Sequence, residues 1–227
     1  MKVSDTFWLT IISQFQHAFV YVSVILFFLV PKVGRRQYIE FGAILIFSLI
    51  CETGGWIGVL VFHANMNLLS SLLTIIFFPL LILLYLKQPY WRNWRVVAYI
   101  TIAAFTIFAV VNLFYIQGVS GGNSYPRAVA SFFYLIIGIT YLFGYMGSLP
   151  KEVRAKHPMY WFSIAIVFYN SVVVYLAIWM DYLVKIKNSR LIEVFMIHNS
   201  IGAVYYMIFW YALILMRREY TVTQPSA

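Results

Sequence analysis

The chain has 227 residues, of which 63% are hydrophobic and only 10% charged, with a formal net charge of +9. Soluble domains are about half apolar and a quarter charged, so a soluble globular domain is excluded and a polytopic membrane protein is expected. The cations gather at the ends of apolar runs and form no separate basic stripe. That gives nucleic acid no surface and suits contact with the bilayer and its anionic head groups.

Seven apolar runs follow one another: Phe7–Val30, Tyr38–Phe62, Leu68–Leu86, Trp94–Ile116, Arg127–Leu149, Met159–Tyr182 and Leu191–Met216. Each is long enough to cross a hydrocarbon core about 30 Å thick as a helix, at about 1.5 Å per residue. The alternating ten-residue segments of a membrane β-barrel are absent. The expected fold is therefore all-α: one seven-helix transmembrane domain over residues 1–220 and a tail over 221–227.

The first run is too long for the apolar part of a signal peptide and lacks a small-residue cleavage site, so it reads as a span. His17 lies about ten residues into it, with Gln14 and Gln16 nearby. In the second run Glu52 lies about ten residues from the far end, beside the single cysteine, Cys51. Alone, Cys51 has no intrachain disulfide partner and no partner for a Cys-based metal site. Gly54, Gly55 and Gly58 in the same run predict close helix packing, and Pro79 predicts a kink in the third. Asn170 lies in the sixth run, and His198 and Asn199 about seven or eight residues into the seventh. Tyr90, Trp91, Trp94, Tyr160 and Trp161 sit at run ends as interfacial anchors.

The gaps set orientation. Lys32, Arg35, Arg36, Lys87, Arg92, Arg95, Lys151, Arg154, Lys156, Arg217 and Arg218 fall on one side, and Lys2, Arg127, Lys185, Lys187 and Arg190 on the other. Eleven against five places the N-terminus outside and the C-terminus in the cytoplasm of an inner membrane. His17, Glu52, Asn170, His198 and Asn199 then share a depth of roughly 10–18 Å below the outer surface. In a sequential ring the first, second and seventh helices would bring His17, Glu52 and His198 together on an outward cavity.

Such residues are costly in lipid and mark functional sites by default, although polar side chains also join helices. A ligand pocket and a structural polar cluster are both open readings. The catalytic set is empty. No two histidines share a helix at a zinc-binding spacing, and haem or metal held by His17 and His198 rests on two isolated residues. The seventh run has no lysine for a retinal Schiff base, and no span carries the arginine row of a voltage sensor.

Four stretches carry a family resemblance: Ile50-Cys51-Glu52-Thr53-Gly54; Asn67 through Phe77-Phe78; Pro158-Met159-Tyr160-Trp161 with Tyr169-Asn170; and Ile197-His198-Asn199 with Tyr205. Together they resemble small seven-helix inner-membrane proteins of Bacteroidetes, over most of the chain after residue 38. Similar segments precede histidine kinase domains in that phylum, and this likeness implies a membrane sensory module. The chain departs from the kinase-linked pattern at Ala227, where a coiled-coil linker would begin, so signalling through a partner protein is expected. The first functional expectation is a receptor-like or sensor-like module. The alternatives are a non-catalytic subunit of a larger membrane complex, and an intramembrane enzyme or cofactor carrier.

Overall fold

The computed structural model describes residues 17–62, 66–119, 123–185 and 191–222; within these, the side chains of 52, 55–62, 66–67, 180–181, 183–185, 191–192, 195 and 222 lie outside the description. Every element among the described residues is helical. We number them α1 (His17–Phe28), α2 (Lys32–Gln37), α3 (Ile39–Phe62), α4 (Met66–Leu86), α5 (Arg95–Val111), α6 (Ser124–Thr140), α7 (Lys151–Lys156), α8 (Pro158–Lys185) and α9 (Leu191–Val222). Among the described residues five stretches are long and apolar enough to cross a membrane: Leu68–Leu86, Pro89–Ile116, Ser124–Ser148, Pro158–Trp179 and Met196–Thr221. Two shorter apolar helices, His17–Phe28 and Ile39–Cys51, accompany them.

Proline sets many of the boundaries. Pro31 and Pro150 stand just before α2 and α7, Pro89 opens a short 3-10 turn over Pro89–Trp94, and Pro158 opens α8. At these places the missing N–H costs nothing. Pro79 lies inside α4, which is helical on both sides of it. The helices α5 and α6 each end in a wider π turn, Asn112–Ile116 and Tyr141–Tyr145.

Aromatic rings assemble the bundle. Phe41 of α3, Phe162 of α8 and Phe209 of α9 meet with centroids 4.8–5.1 Å apart, and the Phe162 and Phe209 rings stack. From α4, Tyr85 donates a buried hydrogen bond to Ser163 Oγ of α8 at 2.8 Å. Ser163 in turn donates to the Met159 carbonyl of its own helix. Thus α8 touches α3, α4, α6 and α9. The helix α5 sits outside, pinned to α4 by the Phe78–Phe105 stack at 3.7 Å. Its outer face stays open, with Val96 at 71%, Ile107 at 65% and Tyr115, in the π turn beyond it, at 84% exposure. An uncovered apolar face of that extent suits a lipid surroundings.

The first helix fits between α3 and α9. Tyr21 shares a hydrogen bond with Thr53 of α3 at 2.7 Å, and Trp210 of α9 donates to Ser23 Oγ at 2.9 Å and stacks near Phe19. Further along, a Cβ at Gly34, between α1 and α3, would meet both Val30 and the Tyr220 ring. Residue numbers rise together on the two sides, so α1 and α9 run parallel.

Of the expected glycine cluster only Gly54 is described, and it makes no close approach. A methyl group at Gly54 would meet nothing within 4 Å, and the side-chain positions of Gly55 and Gly58 lie outside the described residues. Besides Gly34, a Cβ at Gly42 would run into the Phe27 ring, one at Gly138 would lie 2.7 Å from Val167 and one at Gly144 would lie 2.5 Å from the Tyr90 hydroxyl. We expect Gly42→Ala to destabilise the bundle by about 1–3 kcal/mol, because buried Phe27 must leave its place against Phe41. Gly54→Ala is expected to be neutral or to stabilise by up to about 1 kcal/mol. Unfolding of both variants in detergent checks the opposite signs.

His157 stands between α7 and α8. Its Nδ1 accepts the Met159 backbone N–H at 3.2 Å, which caps the start of α8. Only an imidazole without a proton on Nδ1 can do this, and burial pushes the His157 pKa below its ordinary 6.5. Below that value the unfolded chain takes up a proton that the folded chain refuses. Stability is therefore expected to fall as pH drops through about 6.5 and below. His157→Asn keeps an acceptor without a titration, so its melting curve should lose this part of the pH dependence.

Candidate functional site

Arginine has five N–H donors and no acceptor. Arg127 is the fourth residue of α6, where a cation opposes the helix dipole, so its position needs a local reason. The reason lies on α8 and α9. Arg127 Nη2 stands 3.0 Å from His198 Nε2 and donates to the Tyr169 hydroxyl at 3.5 Å. Since the guanidinium can only donate, His198 Nε2 accepts, and the proton of a neutral imidazole sits on Nδ1.

Rings frame the cluster. Tyr169 lies 5.9 Å from the His198 ring and 4.6 Å from Tyr205, which packs on Phe209 at 4.1 Å. A partly buried cation is thus held by three helices on a floor of aromatic rings. Among the described residues its hydrogen-bond partners are neutral. That arrangement can offer positive charge and donor capacity to an anion.

The residues expected from sequence are distributed as follows. His198 is in the cluster, and Asn199 follows it on α9, partly buried. Asn170 is buried, but its amide donates to the Ile166 carbonyl of its own helix at 2.8 Å. Its neighbour Tyr169 is the α8 residue that reaches Arg127. The side chain of Glu52 lies outside the described residues, as do Gln14 and Gln16.

His17 is partly buried at the start of the described α1, and the packing does not bring it to His198. Phe19 and Trp210 are level, with ring centroids 4.6 Å apart. His17 is two residues before Phe19, and His198 is twelve before Trp210. At 1.5 Å per residue on parallel helices, the two histidines are roughly 15 Å apart along the bundle. One iron between them would require both at a single level. The shared depth expected from sequence comes from counting inward from run ends as if these were level, whereas the packing sets Phe19 beside Trp210, which lies much further from the start of α9 than Phe19 does from the start of its run.

Arg127 and Tyr169 were missed as site residues. The apolar run begins at Arg127 and so makes it a loop cation, whereas α6 begins at Ser124. The available signal was a cation in the first turn of an apolar helix, the end where it is least favoured.

A second polar cluster joins α4, α5 and α6 without formal charge. Asn112 donates to Gln117 at 2.8 Å, and Gln117 to Ser124 at 2.6 Å. Asn123 donates to Thr74 at 2.6 Å and to the Ser70 carbonyl at 3.0 Å. These amides tie a loop to a helix, and the Asn112 Oδ1 is left buried without a hydrogen-bond partner among the described residues. Among the described residues no group of three His, Cys, Asp or Glu side chains gathers to hold a metal ion.

Neither family models nor curated proteins nor solved structures give a match to this chain.

The cluster predicts coupling between its members. Removing His198 leaves a charged donor short of an acceptor, and removing Arg127 as well relieves that cost. A double-mutant cycle of Arg127→Gln and His198→Ala should give about 1–2 kcal/mol of interaction. Reversible unfolding in mixed micelles provides the measurement.

Proposed function

We propose that the chain is a receptor-like or sensor-like module of the cytoplasmic membrane. In this reading it has seven spans, its N-terminus outside and its C-terminus within. The site formed by Arg127 in the first turn of α6, Tyr169 midway along α8 and His198 near the start of α9 takes a small anionic ligand, and the basic cytoplasmic ends pass the response to a partner protein. The observation that carries the reading is the Arg127 guanidinium, held at 3.0 Å from His198 on neutral partners within an apolar bundle. Even a partly buried cation is expensive within an apolar bundle and is by default a candidate functional group. The resemblance to segments preceding histidine kinases supports the sensory role, and the parallel packing of α1 on α9 agrees with an odd number of spans.

Purification in mild detergent, followed by mass spectrometry of all retained species, tests this. We expect a small carboxylate or phosphate compound that copurifies with the wild-type chain and is lost from Arg127→Gln. Added in excess, the same compound should raise the melting temperature of the wild type and leave that of the variant unchanged. If no small anion is retained and stoichiometric protein chains are, equally with Arg127→Gln, the receptor reading fails and a subunit of a larger complex replaces it.

A further inference from the structure

A groove of about 390 Å³ lies along the seam of α1 and α9 near the basic end of the bundle. Leu26 of α1 and Leu213 and Ile214 of α9 form its apolar part, and Arg217, Arg218 and Thr221 complete it. On α9 these residues occupy positions i, i+1, i+4, i+5 and i+8, which is one helix face. Their order along the axis is apolar first and cationic last. A phospholipid has the same order from acyl chain to phosphate.

The groove is built at its basic end. The Tyr220 hydroxyl donates to Gln37 Oε1 at the end of α2, and the Tyr220 ring packs where Gly34 has no side chain. The final turns of α9 are therefore anchored, and the two arginines project beside a fixed wall. Both are exposed. The Thr221 hydroxyl turns back to the Arg217 carbonyl at 2.7 Å, so guanidinium groups dominate the polar part. On α2, Arg35 lies 5.8 Å over the exposed Phe28 ring. Another loop cation, Lys87, is instead met internally by Glu40 at 2.7 Å.

We propose that this groove binds one anionic phospholipid in the leaflet at the basic end. The phosphate lies against Arg217 and Arg218, whose planar forks match phosphate oxygens. One acyl chain follows Leu26, Leu213 and Ile214. This site is separate from the Arg127 cluster and stands whether or not that cluster binds a ligand.

The test uses the purified, delipidated full chain in a maltoside detergent. It is titrated with phosphatidylglycerol and with phosphatidylcholine of the same acyl chains, and read by native mass spectrometry. With two basic side chains at the head group, the first adduct of phosphatidylglycerol should form roughly tenfold to thirtyfold more tightly. Arg217→Gln with Arg218→Gln should bring it to the phosphatidylcholine level, while Arg92→Gln with Arg95→Gln should leave it unchanged. Equal binding of the two lipids by the wild type, or an equal loss with the Arg92 and Arg95 pair, overturns the proposal. So does a dimer that the Arg217 and Arg218 changes abolish, which would give the groove to a second copy. Should the double variant not fold, wild-type chain with a photoactivatable phosphatidylglycerol decides. Crosslinks confined to the peptides holding Leu26 and Leu213 support the site, and crosslinks spread over all spans overturn it.

Discussion

In hydrocarbon a helix satisfies its own backbone, and lipid tails are as apolar as leucine, so the hydrophobic effect gives helices little reason to associate. Association must come from close packing and from the few polar groups the spans carry. In this chain both meet on α8. Its Phe162 closes an aromatic triad with Phe41 and Phe209, its Ser163 receives Tyr85 from α4, and its Val167 packs into the space left by Gly138 of α6. The rest of the bundle is arranged by this one helix: α3, α4, α6 and α9 touch it, and α5 is left outside.

That arrangement explains what was legible in the sequence. Apolar runs report lipid contact, which depends on composition alone, so the presence of long apolar helices could be read from them. The runs Tyr38–Phe62 and Leu68–Leu86 correspond closely to α3 and α4. Neighbour relations are another matter. A sequential ring would seat α5 between α4 and α6, yet Tyr85 of α4 reaches Tyr141 directly, with ring centroids 5.5 Å apart. Nothing in a run of apolar residues states which face meets a partner. Glycines show the same limit: Gly54 and Gly138 look alike in sequence, but only Gly138 has a neighbour that excludes a side chain.

The candidate site was legible in kind more than in detail. His198 stood out because an imidazole is rare in an apolar helix. Asn170 stood out for the same reason, but its amide is satisfied one turn back along its own helix, as a short polar side chain can manage without any neighbour. Arg127 has a long side chain that acts far from its own Cα, so its place in the chain concealed its place in the fold. Short polar groups can be satisfied locally, whereas a guanidinium or phenol near a span end can extend to a neighbouring helix.

The helix α9 links the two ends of the molecule. It has 32 residues and is roughly 48 Å long at 1.5 Å per residue. His198 near one end touches Arg127, and Tyr220 near the other touches Gln37. A ligand shifts a conformational equilibrium only by the difference in its affinity for the two states. For the proposed receptor role, an anion drawing Arg127 away from His198 would act on α9 at a contact that differs between the bound and free states. The displacement need not travel through a chain of side chains, because one rigid helix spans both contacts. The phospholipid site at Arg217 and Arg218 lies on that same helix, close to Tyr220. Lipid occupancy would bias the same element only where the lipid also binds its two states unequally, and by linkage the two ligands would then alter each other's affinity to the same extent.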